Sequence, residues 1–206
     1  MDKKILKVCM LGSFSLEYAG KELVLDRNKN SKTTQLFQLL MLHTEDGGIS
    51  KAAMIEALYG RVEVENKNSS LNNTIFRLRK QLRDIGLPES KYINIQSGMC
   101  CWDENIKVWV DVCEFKRLVE QVRTEKREGD RLQLWLKIWK IYKGEFLPDM
   151  IGENWAAVEN VQCRDDYFQV TTQLCQWLKN NERYEDLHRI SHMTAEIYPF
   201  DEWQIW

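Results

Sequence analysis

The stretch NSSLNNTIFRLRKQLRDIG, Asn68 to Gly86, decides how this chain is read. On a 3.6-residue repeat Leu71, Ile75, Leu78 and Leu82 fall at i, i+4, i+7 and i+11, a single stripe that must face a core. Asn73, Arg77 and Lys80 fall opposite, and Ser69, Asn72, Phe76, Arg79 and Arg83 line the flanks. From Lys67 through Arg83 there are five basic residues and no acid, although the whole chain has a formal charge of −2. The exposed side therefore offers amides and hydroxyls near the start and guanidinium or ammonium groups further on. Asn suits an adenine edge, Arg pairs bidentately with guanine, and Arg or Lys holds phosphate. A carboxylate there would repel a phosphate backbone, which accounts for the missing acids up to Asp84. A plain solvated helix face would have the same stripe, so the neighbouring segments carry the rest of the inference.

Upstream, KILKVCMLGSFSLEYAGKELVL alternates Leu6, Val8, Met10 and then Phe14, Leu16, Tyr18, with Ala19-Gly20 as a turn, a strand pattern with a hairpin. After Ser31, TTQLFQLLMLHTE takes helical spacing and Gly47-Gly48 stops it. Ser50 is placed to cap KAAMIEALY, with Gly60 as its stop. Downstream of Gly86 and Pro88, YINIQSGMCCW reads as two strands around Ser97-Gly98, with IKVWV a possible third. Sheet, helix, helix, basic helix and hairpin is the order of a winged helix-turn-helix, whose third helix enters a major groove.

From Asp111 the strand signal ends. VCEFKRLVEQVRTEKR, DRLQLWLKIWKIY, NWAAVENVQCRDDYFQVTTQLCQWLKN and ERYEDLHRISHMTAEIY all have helical spacing, broken at Gly129, at KGEFLPD and at Asn180-Asn181. Stacked antiparallel helical hairpins follow. The expected division is residues 1–110, an α+β winged helix-turn-helix domain at +3, and 111–206, an all-α helical domain at −5.

The whole resembles a known family. The order of elements is similar to the response-regulator-type winged helix of the SARP class of bacterial activators. VDVCEFKRLV (Val110–Val119) resembles that family's junction. IYKGEFLPD (Ile141–Asp149) followed by Trp155 is similar to its Tyr-x-Gly-x-Phe-Leu-Pro…Trp signature, and ERYEDL…YPFDE (Glu182–Glu202) to one of its tetratricopeptide-like repeats. The resemblance implies a bacterial transcriptional activator domain after the winged helix. It further implies that the loop GRVEVENKN (Gly60–Asn68) faces RNA polymerase, with Glu63 and Glu65 offering charge and Val62 and Val64 an apolar contact. Two departures stand out: Gly98 is followed by uncharged Met99-Cys100-Cys101-Trp102, where the family's wing is basic, and +3 is modest for a DNA binder. The chain also stops at FDEWQIW where a further helix is expected, as though the second domain were cut short. Trp203 and Trp206 would then form an apolar patch for self-association.

Other chemistries find little footing. The six cysteines lack a C-x-x-C spacing and sit in apolar contexts, as reduced buried thiols do. His188 and His192 stand four apart without a third ligand, so no metal site is expected, and His43 suits a helix end. No P-loop, G-x-G-x-x-G or G-x-S-x-G context appears, and neither enzyme activity nor a cofactor is expected. Trp135, Trp139 and Tyr142 recur at helical spacing as core. No apolar run reaches a membrane span and the N-terminus lacks a signal's apolar stretch, so the expected location is the cytoplasm.

The leading function is a sequence-specific regulator on double-stranded DNA, an activator that binds repeated promoter sites. Asn72, Asn73 and Arg77 would read bases, while Lys67, Ser69, Lys80 and Arg83 would hold phosphates. The alternative is a protein-interaction module whose winged helix has lost its DNA affinity.

Overall fold

A computed structural model describes residues 4–61, 63, 65–201 and 203. Three strands open the chain, β1 (Leu6–Cys9), β2 (Ser15–Tyr18) and β3 (Lys21–Leu23). They form an antiparallel meander, Leu6 opposite Tyr18 and Leu16 opposite Leu23. The turn at Ala19-Gly20 has φ of 52° and 76°, the left-handed pair that a two-residue hairpin requires. Leu6, Val8, Met10 and Leu16 point into the core and are at most 2% exposed.

Helix α1 (Lys32–Leu42) starts on the Ser31 hydroxyl, which accepts the Thr34 N–H. From Thr33 to Leu42 every residue is buried, so α1 is the hub that the other elements cover. The two-residue strand β4 (Ile49–Ser50) leads into α2 (Lys51–Tyr59), capped by Ser50 as expected. Helix α3 (Lys67–Asp84) is the basic helix. Strands β5 (Ile93–Gln96) and β6 (Met99–Trp102) form a hairpin through Ser97-Gly98, and β4 adds to the other edge of β6. Trp102 packs edge-on against Phe37 of α1 at 5.8 Å, tying this second sheet to the hub.

The possible third strand, IKVWV, is real but belongs elsewhere. As β7 (Val108–Val110) it runs parallel to β1, Leu6 beside Val108, and completes a sheet in the order β3-β2-β1-β7. Helix α4 (Asp111–Thr124) follows without a linker, and Val110, Val112 and Phe115 are buried. The Asp111 carboxylate turns back to accept the N–H groups of Met10 at 2.8 Å and Leu11 at 3.0 Å, beyond the end of β1. Burial pushes its carboxyl up to about 6, against the pull of those donors.

Helices α5 (Glu128–Ile141), α6 (Asn154–Asn180) and α7 (Tyr184–Ile197) complete the chain. Gly129 does not break the helices as expected: it lies in the first turn of α5, and the break is at residues 125–127. Tyr142 is the aromatic centre of this half, stacked on Tyr167 at 4.1 Å and sharing a hydroxyl hydrogen bond with Tyr198 at 2.6 Å. Trp135 is buried, as expected of core. Trp203 departs from the expected surface patch. It is 6% exposed and packs edge-on against Phe168 at 5.3 Å, because the chain after α7 folds back over α6. Trp206 lies outside the described residues.

The segment KGEFLPD grips the first sheet. Gly12 donates to the Glu145 carbonyl and Leu147 to that of Met10, each at 2.9 Å, with Phe146 bridged to Leu11. Gly12 (φ 93°) and Gly144 (φ 147°) pass so closely that a Cβ on Gly144 would stand 3.1 Å from the Cα of Gly12. Phe146 and Leu147 are thereby buried to 0% and 2% exposure.

Candidate nucleic-acid interface

Helix α3 begins at Asn66, whose side chain accepts the Ser69 N–H at 2.9 Å. The stripe Leu71, Ile75, Leu78 and Leu82 is buried to 2% exposure or less. Burying each such side chain contributes about 1.5–3 kcal/mol, which fixes the rotation of the helix about its axis. Two further contacts fix its tilt. The Tyr59 hydroxyl meets Thr74 Oγ1 at 2.7 Å, joining α2 to α3 in a buried hydrogen bond. Arg79 donates from Nε to the Lys91 carbonyl at 3.2 Å and from Nη2 to that of Ile93 at 2.7 Å, joining α3 to β5. Arg79 is thus a brace, though its residue type matches the rest of the basic face.

With the core stripe inward, Ser69, Asn72, Asn73, Arg77, Lys80 and Arg83 are all exposed and Lys67 is partly so. The structure brings Ser69, Asn72, Asn73, Arg77, Lys80 and Arg83 together along one side of the helix, whereas Lys67 stands apart at its first residue, in line with buried Leu71 and Leu78. The side chains of Asn72, Asn73, Arg77, Lys80 and Arg83 meet no hydrogen-bonding or ion-pair partner among the described residues, so their donors point to solvent. The second half behaves differently. Arg117 pairs with Glu114, Arg123 with Glu120 and Asp166, and Arg183 and Arg189 with Asp186. Those arginines pair with acids within the chain, whereas Arg77, Lys80 and Arg83 of α3 have no such acid among the described residues. Phe76 stands amid them at 70% exposure.

The hairpin differs from its expected role. Met99 to Trp102 does not form a tip: β6 is the central strand of its sheet, Cys100 and Trp102 face inward at 1% and 6% exposure, and the Cys101 thiol donates to the Gly47 carbonyl. The missing charge is that of a half-buried strand. The turn itself is Ser97-Gly98, and beside it the Lys51 N–H donates to the Gly98 carbonyl at 2.7 Å. Lys51, at the start of α2, is thereby a basic residue beside this turn, and only the β4–β6 pairing reveals it.

Of the residues expected to face RNA polymerase, Glu63 and Glu65 are exposed in the connection between α2 and α3, while Val62 and Val64 lie outside the described residues. The same connection is tethered at its start. Arg61 donates to the Gly152 carbonyl at 3.0 Å and bonds the Asn154 side chain, reaching the entry to α6. A cleft of about 440 Å³ lies beside this contact, lined by Lys32, Glu56, Arg61, Glu153 and Trp155 among others.

All six cysteines are free thiols, and burial pushes Cys113 up to about 12 and Cys175 up to about 11, which removes them as nucleophiles at neutral pH. His188 and His192 are exposed neighbours with ring centroids 6.1 Å apart. Among the described residues no cluster of three or more His, Cys, Asp or Glu is arranged to hold a metal ion, and no helix is long and apolar enough to cross a membrane.

No family model matches the chain, and no curated protein matches it by sequence. The fold does have a counterpart among solved structures. The chain is similar to Mycobacterium tuberculosis EmbR, solved in complex with a low-affinity phosphopeptide, with a TM-score of 0.68 and 14% identity over 97% of this chain. That match spans about half of the EmbR chain (52%). At this identity the likeness is one of fold: the path of nearly the whole chain, from β1 to α7, is shared.

Proposed function

We propose that the chain is a DNA-binding transcription regulator of the SARP type, with residues 1–110 as a winged helix-turn-helix domain and 111–206 as a tetratricopeptide-like helical domain. The observation that carries this reading is the exposed face of α3, where Arg77, Lys80 and Arg83 meet no partner among the described residues. Its rotation is fixed by a buried stripe and its tilt by Tyr59 and Arg79. A rigid helix with Asn, Arg and Lys on one side matches what a major groove asks of a reader. The similarity to EmbR, a regulator of that class, supports the same reading.

In this account Asn72, Asn73 and Arg77 read base edges, while Lys67, Ser69, Lys80 and Arg83 hold the flanking phosphates. Ser69 and Lys67 lie at the helix N-terminus, where the backbone dipole also favours an anion. Activation follows from the α2–α3 connection, where Glu63 and Glu65 face RNA polymerase. The Arg61 tether to the entry of α6 holds that connection in place. The helical domain aligns neighbouring copies on repeated sites.

The test titrates the full chain against the DNA upstream of its own gene and against random duplex, by fluorescence anisotropy. Tighter binding to the upstream DNA is expected, and Arg77→Ala should lose about 1–3 kcal/mol on that DNA while leaving random duplex nearly unchanged. Equal losses on both would reject Arg77 as a base reader.

A further inference from the structure

Phe76 is out of place on a solvated helix. It is 70% exposed, one of the most exposed large apolar side chains on the molecule. On helical spacing it lies between Asn72 and Lys80 at four residues, beside Asn73 at three, and in line with Ser69 and Arg83 at seven. It is thus near the middle of the face on which the side chains of Asn72, Asn73, Arg77, Lys80 and Arg83 meet no partner among the described residues. Burial does not account for it, since the core stripe of α3 is complete on the other side with Leu71, Ile75, Leu78 and Leu82.

A major groove is polar along its floor with one exception, the C5-methyl of thymine, which accepts apolar contact from side chains such as Phe. We infer that Phe76 is a specificity-determining residue that packs on a thymine methyl group, so that the site recognised by this helix contains a thymine at one fixed position. The inference rests on the proposed DNA-binding reading and adds to it. Asn72 and Asn73 beside Phe76 would take the neighbouring bases, and Lys80 and Arg83 would hold the helix against the strand that carries the thymine. A cytosine at that position is also disfavoured, since its C5 carries a hydrogen in place of the methyl and its C4 an amino donor in place of thymine's O4.

The experiment selects preferred duplexes from a random pool with the full chain, then replaces each thymine of the selected site singly with deoxyuridine. Deoxyuridine keeps every hydrogen-bonding group and removes only the methyl. The expected result is one position at which wild type loses affinity about four-fold, the value of one buried methyl group. Phe76→Ala should bind both versions of that position alike, while Phe76→Leu keeps part of the difference. The exposure of Phe76 means that neither change disturbs the core, which circular dichroism checks. A selected site with no thymine, or an identical thymine profile for wild type and Phe76→Ala, would overturn the inference and leave the DNA reading standing. Phe76-dependent binding that is tighter on single strands than on duplex would overturn it in favour of base stacking. If no sequence is enriched at all, the DNA reading fails, and this inference with it.

Discussion

Asp111 offers a perturbation whose sign follows from the structure. Its side chain sits in a residue only 3% exposed and takes N–H bonds from Met10 at 2.8 Å, Leu11 at 3.0 Å and Val112 at 2.7 Å. Burial outweighs those donors and raises the carboxyl from 3.8 to about 6. The folded chain therefore holds a proton that the unfolded chain releases. The stability it contributes is complete below pH 3.8 and is lost as pH rises through about 6. Between about pH 4.5 and about pH 8 that loss integrates to about 2 kcal/mol. Asp111→Asn has no such proton. It keeps one acceptor oxygen for Met10 and Val112 and turns an amide NH2 toward the Leu11 N–H, which costs about 1–3 kcal/mol at either pH. The variant should accordingly be the less stable chain at the lower pH, and the gap should shrink by about 2 kcal/mol at the higher one. Urea unfolding of both chains at the two pH values, followed by tryptophan fluorescence, measures it. A gap that stays constant, or widens with pH, would show that the three N–H donors outweigh burial and would refute the sign.

Three further outcomes follow from the same contacts. Arg79→Ala should destabilise the chain by about 1–2 kcal/mol by removing its bonds to the Lys91 and Ile93 carbonyls, while Arg77→Ala should stay within about 0.5 kcal/mol in urea unfolding. Gly12→Ala places a Cβ 2.9 Å from the Lys143 carbonyl oxygen at φ 93°. It should lower stability by about 1–3 kcal/mol, read as a lower melting temperature. Replacing Glu63 and Glu65 together by Gln should leave DNA affinity unchanged or slightly raised, yet reduce transcripts in a reaction with purified RNA polymerase. Unchanged transcript levels would remove these residues from polymerase contact.

Periodicity made the local elements legible. The stripe from Leu71 to Leu82, the cap Ser50 and the turn at Ala19-Gly20 are set by near neighbours in sequence, and each forms where its residues require. What periodicity does not carry is pairing between distant segments. The strand at Val108–Val110 was visible, but its parallel place beside β1 depends on Leu6 and Val8, about a hundred residues earlier. The same distance hid Asp111, whose partners are the N–H groups of Met10 and Leu11. Trp203 looked unprotected because its cover, Phe168, lies on another helix. Within the candidate interface, spacing placed the exposed residues on one side but did not separate Arg77 from Arg79. The two are chemically identical, and only the carbonyls of Lys91 and Ile93 make one a brace. The Met99–Trp102 segment looked like an uncharged wing tip because its pairing with β4, a strand of two residues, leaves almost no signal.

If Lys67, Lys80 and Arg83 of α3 hold a phosphate backbone, duplex binding must weaken with salt. Binding constants of the full chain for a selected duplex, measured across a series of salt concentrations, give the number of phosphates neutralised as a slope. With Lys67, Lys80 and Arg83 on phosphates, α3 alone accounts for a slope of about −3, and Lys80→Ala should make it shallower by about one. A wild-type slope near zero, or one that Lys80→Ala and Arg83→Ala leave unchanged, would contradict the assignment of this helix to DNA.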